Sequence, residues 1–182
     1  IDIIFYLENF MLYLKEANLI DAKKEFAFIQ NIPNNENGFT NENYNCSWEE
    51  FIQKVLPEYI DIAHGINLPS GWVSSTEYFL WEDNTIKGLF RLRHHLNDFL
   101  REGPGHIGYY IKEEYRHLGY ATQGLQLCIN KAWEIIPENE IYMSVQKDNT
   151  YSLKVQLNNG AYIHHEDIIN YYTRISKRIG NL

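Results

Sequence analysis

The stretch from Gly105 to Ile136, GHIGYYIKEEYRHLGYATQGLQLCINKAWEII, restricts the fold more than any other part of the chain. It opens with His106-Ile107-Gly108-Tyr109-Tyr110-Ile111, which is apolar, aromatic and free of proline, and this predicts a strand. A charged turn, Lys112 to Tyr115, follows. Beyond Ala121, the residues Leu125, Cys128, Ile129, Ala132, Trp133 and Ile136 recur at three- and four-residue steps, which puts them on one face of a helix. Pro137 stands just past the end as a stop signal.

The chemistry available to this stretch lies at the turn. A helix N-terminus leaves backbone N–H groups without partners and carries a partial positive charge. Gly119 lets the backbone approach a ligand, and the small Ala121 does not block it. Successive N–H groups from Arg116 to Ala121 can therefore cradle a pyrophosphate. Taken alone, the same six residues also fit an ordinary strand-to-helix turn.

The hexapeptide Arg116-His117-Leu118-Gly119-Tyr120-Ala121 matches the Arg/Gln-x-x-Gly-x-Gly/Ala signature of the GNAT N-acetyltransferase superfamily. A second stretch, Asp148 to Ala161, resembles the Asn-x-x-Ser helix ending in Asn-Gly that follows the fifth strand of that fold. The resemblance spans roughly Thr76 to Ile175. With Gly71-Trp72-Val73, Arg93 to Asn97 and Gly105 to Tyr109, the run is also similar to a group of bacterial predicted acetyltransferases in the superfamily.

This resemblance implies an α/β (α+β) GNAT fold. A mixed central sheet of about six to seven strands, with two splayed parallel strands, would be flanked by helices. Residues 1–182 would form one domain, with an N-terminal helical part over 1–75 and a core that binds acetyl-CoA over 76–176. The splayed strands would be His106–Ile111 and Glu140–Val145, with backbone groups of Tyr109, Tyr110 and Ile111 binding the pantetheine arm. Arg116, His117, Leu118, Gly119, Tyr120, Ala121 and Thr122 would hold the pyrophosphate, and Asn149 and Ser152 the pantetheine or adenine end. A deprotonated primary amine of a small molecule or peptide would attack the thioester directly, with no covalent enzyme intermediate. A catalytically weak acyl-CoA-binding module is the alternative.

The catalytic groups are harder to place. His106 sits where several GNAT enzymes have a carboxylate base; a histidine can take a proton from an amine near neutral pH. It can equally be a structural histidine bonded to backbone. Many GNAT enzymes have a tyrosine seven residues after the Asn of the second motif, and here that position is Gln156. Tyr162 is the candidate acid that replaces it, with Tyr151, Tyr171 and Tyr172 open by residue type. Arg93, His95 and Asn97 are candidates for the acceptor side, since one face of the strand Ile86–His95 is mostly basic.

Composition limits the partners. A net charge of −8 argues against nucleic acid, which needs a basic face. No apolar run reaches membrane-spanning length, so no membrane partner is expected. The two cysteines, Cys46 and Cys128, fit no metal spacing and suit a reducing cytoplasm. The seven histidines include the adjacent pairs His94-His95 and His164-His165, whose members face opposite sides of a strand, so no metal is expected. A homodimer is left open.

The remaining chain reads as follows. Ile1 to Tyr6 predicts a strand, Glu8 to Ala17 a helix, and Ala22 to Ile29 a second short helix. The Asn-rich segment Asn31 to Asn45 is a loop by composition, either a surface loop or a lid over the acceptor site. Ser47-Trp48-Glu49-Glu50 is a capping box that opens a helix, which Pro57 would kink. Thr76–Trp81 and Ile86–His95 form a hairpin about Glu82–Thr85, and Asn97–Pro104 is a connection. A strand over Glu140–Val145 and a helix over Asn149–Leu157 come next, then a closing hairpin about Glu166-Asp167.

Overall fold

The computed structural model describes residues 11–177. The strand expected over Ile1–Tyr6 lies outside the described residues. Four strands form the main sheet in the order β1-β4-β5-β6: β1 (Leu12–Glu16), β4 (Ser75–Glu82), β5 (Thr85–Arg93) and β6 (Ile107–Ile111). All three pairings are antiparallel. A second sheet runs β7-β9-β8: β7 (Glu140–Gln146), β8 (Tyr162–Glu166) and β9 (Asn170–Ser176).

β1 corrects the helix expected over Glu8–Ala17. Leu12 and Leu14 pack into the cluster on one face of the sheet, while Tyr13 and Ala17 pack into the cluster on the other. That is the two-residue alternation of a strand enclosed on both sides, and its register runs from Leu12 opposite Glu82 to Glu16 opposite Tyr78. The stretch over 1–75 is accordingly not a purely helical part.

Two helical layers cover the sheet. On one face, α5 (Tyr120–Ile135) lays Leu125, Cys128, Ile129 and Ala132 against Leu80, Phe90, Leu92 and Ile111. On the other, Phe28 and Ile29 of α1 (Ala22–Ile29), with Phe51, Val55 and Leu56, cover Phe79, Trp81 and Leu89. Each fully buried side chain of this size contributes about 1.5–3 kcal/mol.

The capping box forms as expected: the Glu50 N–H donates to Ser47 Oγ at 3.1 Å, and the Ser47 N–H to the Glu50 carboxylate at 2.8 Å. It starts α2 (Trp48–Glu50). The irregularity expected at Pro57 falls just before it, as a π-helical turn over Phe51–Val55 that leads into α3 (Leu56–Ala63). Pro57 has no N–H to give the preceding turn, and a wider turn is one way to absorb that loss.

The Asn-rich segment holds a small hairpin, β2 (Asn35–Glu36) and β3 (Phe39–Thr40). Its two-residue turn, Asn37-Gly38, has φ of 52° and 85°, both left-handed, as a type I′ hairpin turn requires. The connection after β5 contains α4 (Asp98–Arg101), capped by Asn97, whose Oδ1 accepts from the Leu100 N–H at 2.9 Å.

Among the described residues, the backbones of the two sheets are bridged at one place. Gly105 forms an isolated antiparallel bridge with Met143, and the His106 N–H donates to the Tyr142 carbonyl at 2.7 Å. A Cβ on Gly105 would collide with the Tyr142 backbone, so only glycine permits this approach, and its φ of 69° is left-handed as well. Past this contact β6 and β7 separate. The expected splay is present: among the described residues β6 and β7 share the Gly105–Met143 bridge and no ladder. α6 (Thr150–Asn158) packs beside α5, with its N-terminus capped by Asn149 Oδ1 accepting from the Ser152 N–H at 3.1 Å.

Candidate active site

A cleft of about 780 Å³ opens where β6 and β7 part. Tyr109, Tyr110 and Ile111 of β6 form one wall, Ser144 to Gln146 of β7 the other, and Ser152, Val155 and Gln156 of α6 a third. β6 is hydrogen-bonded to β5 along one edge only. On the β7 side its backbone groups have no ladder partner, so they are available to a ligand that lies along the strand.

The turn into α5 stands at the end of β6. Gly119, with φ of 89°, is its N-cap, and His117 is also left-handed at φ 63°. Alternation of this kind turns consecutive N–H groups toward one concavity. The helix that follows has 16 residues, and its glycine cap brings no side chain to cover the first turn. Arg116, His117, Gly119, Ala121 and Thr122 line the cleft. Leu118 is exposed and does not line it, and Tyr120 donates its hydroxyl to Glu82 on the far side. Asn149 and Ser152 line the cleft at the start of α6.

Arg116 does not point free into this space. Its Nε donates to the Ile111 carbonyl at 3.0 Å, and both terminal nitrogens donate to the Glu36 carboxylate at 2.8 and 2.9 Å. The hairpin that carries Glu36 reaches across the cleft: its tip residue Gly38 lies against the side chain of Gln146 on β7. Glu36 and Phe39 were missed as site residues. The signal that could have found them is Asn37-Gly38, a hairpin turn inside what reads as a loop.

Tyr109 joins the two walls. Its ring stacks on Phe90 with centroids 5.5 Å apart, and its hydroxyl lies 2.7 Å from Ser152 Oγ and 3.2 Å from the Ser152 carbonyl. Burial pushes its pKa up to about 12, against hydrogen bonds from Ser152 and Gln156 that pull it down. Gln156 is itself committed. Its Oε1 accepts from the Thr173 hydroxyl at 2.7 Å, and its Nε2 donates to the Ser144 carbonyl at 3.5 Å.

The geometry does not bring the other expected residues to the cleft. His106 has no exposed surface; its Nδ1 accepts from the Tyr142 N–H at 2.9 Å and its Nε2 lies 3.2 Å from the Glu138 carboxylate. Burial lowers its pKa, and the Glu138 carboxylate opposes that shift. This placement sets it between β6 and β7, apart from the residues that line the cleft. Tyr162 is exposed and donates to Glu140 at 2.9 Å, away from the cleft. Arg93 gives its guanidinium to the Gly105 carbonyl at 3.1 Å, and burial brings its pKa down to about 10. His95 is exposed, and Asn97 caps α4 while its Nδ2 donates to the Gly71 carbonyl at 2.9 Å. None of the three lines the cleft. Among the described residues no group of three or more His, Cys, Asp or Glu side chains comes together to hold a metal. No described helix is long and apolar enough to cross a membrane.

A family profile described as an acetyltransferase (GNAT) domain matches residues 47–161. The chain belongs to the GNAT acetyltransferase family. Acetyl-CoA is the co-substrate of this family, and the left-handed turn into α5, the unpaired edge of β6 and the open cleft between the sheets fit it. Solved structures share the fold. The N-acetyltransferase PseH of Campylobacter jejuni, in complex with acetyl coenzyme A, is 17% identical, with a TM-score of 0.58 over 92% of this chain and 99% of its own. RimL, a ribosomal L7/L12 alpha-N-protein acetyltransferase in complex with coenzyme A, is 18% identical, with a TM-score of 0.64 over 91% and 94%. The spermidine N-acetyltransferase of Vibrio cholerae, in complex with CoA and spermine, is 15% identical, with a TM-score of 0.60 over 91% and 95%. No curated protein sequence matches the chain.

Proposed function

We propose that this protein transfers the acetyl group of acetyl-CoA to a primary amine of a small molecule or peptide, by direct attack of the amine on the thioester. The observation that supports this most is the juxtaposition in the cleft: an anion cradle at the α5 N-terminus continues into the unpaired edge of β6. The N–H groups from Arg116 to Ala121 would hold the pyrophosphate, helped by the helix dipole. The β6 backbone at Tyr109 to Ile111 would take the pantetheine arm as a pseudo-strand and orient the thioester. Acetyl-CoA supplies an activated acyl group. A backbone N–H near Ile111 would stabilise the charge that develops on the carbonyl oxygen.

The acceptor would approach beside the β2–β3 hairpin. Arg93, His95 and Asn97 are not part of this reading, because their polar groups are bound elsewhere or exposed away from the cleft. The amine would lose its proton to water in the cleft, since His106 is sealed off. Neighbours that act on a ribosomal protein or on spermidine support an amine acceptor without choosing among amines. The free cysteines suit the cytoplasm.

A second reading, an acyl-CoA-binding module without catalysis, is favoured by one observation. Gln156 occupies the position of the family's usual tyrosine and has its polar atoms engaged.

The test has two parts. Acetyl-CoA at 100 times its Kd should stabilise the fold by about 2.7 kcal/mol. Gly119→Glu would place a carboxylate at the cradle and force a side chain into a left-handed position; it should abolish that shift. An acceptor panel read out by free thiol then separates enzyme from module. A folded Gly119→Glu variant that keeps the full acetyl-CoA response would overturn the assignment of the cradle.

A further inference from the structure

We infer that Glu36 is a positioning residue, the latch that fastens the tip of the β2–β3 hairpin across the cleft until the pyrophosphate of the cofactor takes Arg116 from it. The inference rests on the acetyltransferase reading above and adds to it a step that couples cofactor binding to acceptor entry.

The hairpin is held in two different ways. Its base is anchored in the protein: the buried Asn41 donates through Nδ2 to the carbonyls of Ile29 and Ile32 at 3.0 and 2.9 Å. Phe39 is buried as well and packs on Tyr110, with ring centroids 6.0 Å apart. The tip is different. Asn37 and Gly38 are exposed, and Gly38 rests on the Gln146 side chain of the far wall. Strands of two residues cannot hold themselves, since even a longer isolated hairpin is marginal in water. The two bonds from Arg116 to Glu36 therefore decide where the tip lies.

The guanidinium of Arg116 has no second face to offer. Its end-on fork is taken by the Glu36 carboxylate, and the Nε of its side-on fork donates to the Ile111 carbonyl. No two-pronged face remains for a phosphate. Among the described residues that line the cleft, Glu36 is the only carboxylate, and Arg116 and Lys154 are the only arginine or lysine. A pyrophosphate at the cradle brings negative charge up to Glu36, and like charges repel at short range. It also offers Arg116 an equivalent bidentate partner. One ion pair is exchanged for another, and the hairpin tip is set free. Its release uncovers the side of the cleft along Gln146, so the acceptor enters after acetyl-CoA is seated.

Hydrogen–deuterium exchange over residues 34–40 reads the tip directly and needs no turnover. Saturating CoA should make this segment of the wild-type protein exchange several-fold faster, the opposite of the protection a bound ligand usually gives. Glu36→Gln and Arg116→Gln should each show the fast exchange without ligand, and CoA should add nothing further to Glu36→Gln. Slower or unchanged exchange when CoA binds the wild-type protein would overturn the latch. So would slow exchange in the ligand-free variants. In either case an acetyl-CoA-induced rise in melting temperature would leave the acetyltransferase reading standing. A wild-type protein that binds neither CoA nor acetyl-CoA would overturn both.

Discussion

The carboxylate of Glu36 grips the guanidinium of Arg116 with two hydrogen bonds, 2.8 and 2.9 Å, and so fastens the β2–β3 hairpin to the turn that opens α5. The pair raises the pKa of Arg116 and cancels a positive charge beside the proposed pyrophosphate cradle. Both side chains are roughly 30% exposed, so the pair itself contributes only about 1 kcal/mol to folding. Its larger effect should be on the ligand. Glu36→Gln should tighten acetyl-CoA binding several-fold at low ionic strength by freeing Arg116. The gain should shrink at about 1 M salt, where the Debye length is about 3 Å. Calorimetry at two salt concentrations measures this. Weaker binding at both would mean that the closed hairpin matters more to the ligand than the charge of Arg116 does.

His106 makes stability depend on pH. Its folded-state pKa lies below the ordinary value of 6.5, because burial opposes the charged ring. The unfolded chain therefore binds the extra proton first, and stability should be lost as pH falls from about 6.5 through the folded value. Above 6.5 the contribution is fully present. His106→Gln should flatten this part of the melting-temperature profile, while leaving kcat within a few-fold of wild type. A large loss of kcat with unchanged stability would restore His106 as the base.

What could be read from the sequence was what is encoded locally. The strand-turn-helix around Arg116–Ala121 and the helix capped by Asn149 each carry their start, face and stop within a few residues. The helix forecast for Glu8–Ala17 failed because the apolar residues of β1 divide between two faces, Leu12 and Leu14 on one and Tyr13 and Ala17 on the other, so no polar face marks the two-residue period. The alternation of Phe10, Leu12 and Leu14 was visible, but the charged neighbours masked it. His106 could not be placed at all from local pattern. Its buried state depends on Glu138, 32 residues away, and on a Tyr142 backbone that only Gly105 lets approach. The acceptor-side candidates failed for the same reason: Arg93 and Asn97 find their carbonyl partners in segments distant along the chain.

Asn97 gives a clean check on that correction. As the N-cap of α4 its side chain satisfies the Leu100 N–H, and it also ties Gly71 to the helix. Asn97→Ala should cost about 1 kcal/mol of stability, with both Michaelis constants unchanged. Denaturant unfolding and steady-state kinetics on the same preparation decide it. A raised acceptor KM at unchanged stability would return Asn97 to the acceptor site.

Gly105 joins the fold to the cleft most directly. It is left-handed, and a Cβ there would strike the Tyr142 backbone where the Gly105–Met143 bridge joins the two sheets. Gly105→Ala must either strain β6 or push β7 away. The left-handed conformation and the steric conflict together should cost about 2–5 kcal/mol. Because the same contact sets where the cleft closes, the surviving folded protein should also lose part of the acetyl-CoA-induced rise in melting temperature. A neighbouring glycine provides the comparison: Gly71 is also left-handed but has open space where its Cβ would be. Gly71→Ala should cost only the conformational part, about 1–2 kcal/mol, and leave the acetyl-CoA response intact. Equal losses in both variants would mean that the Gly105–Met143 contact does not hold the cleft in shape.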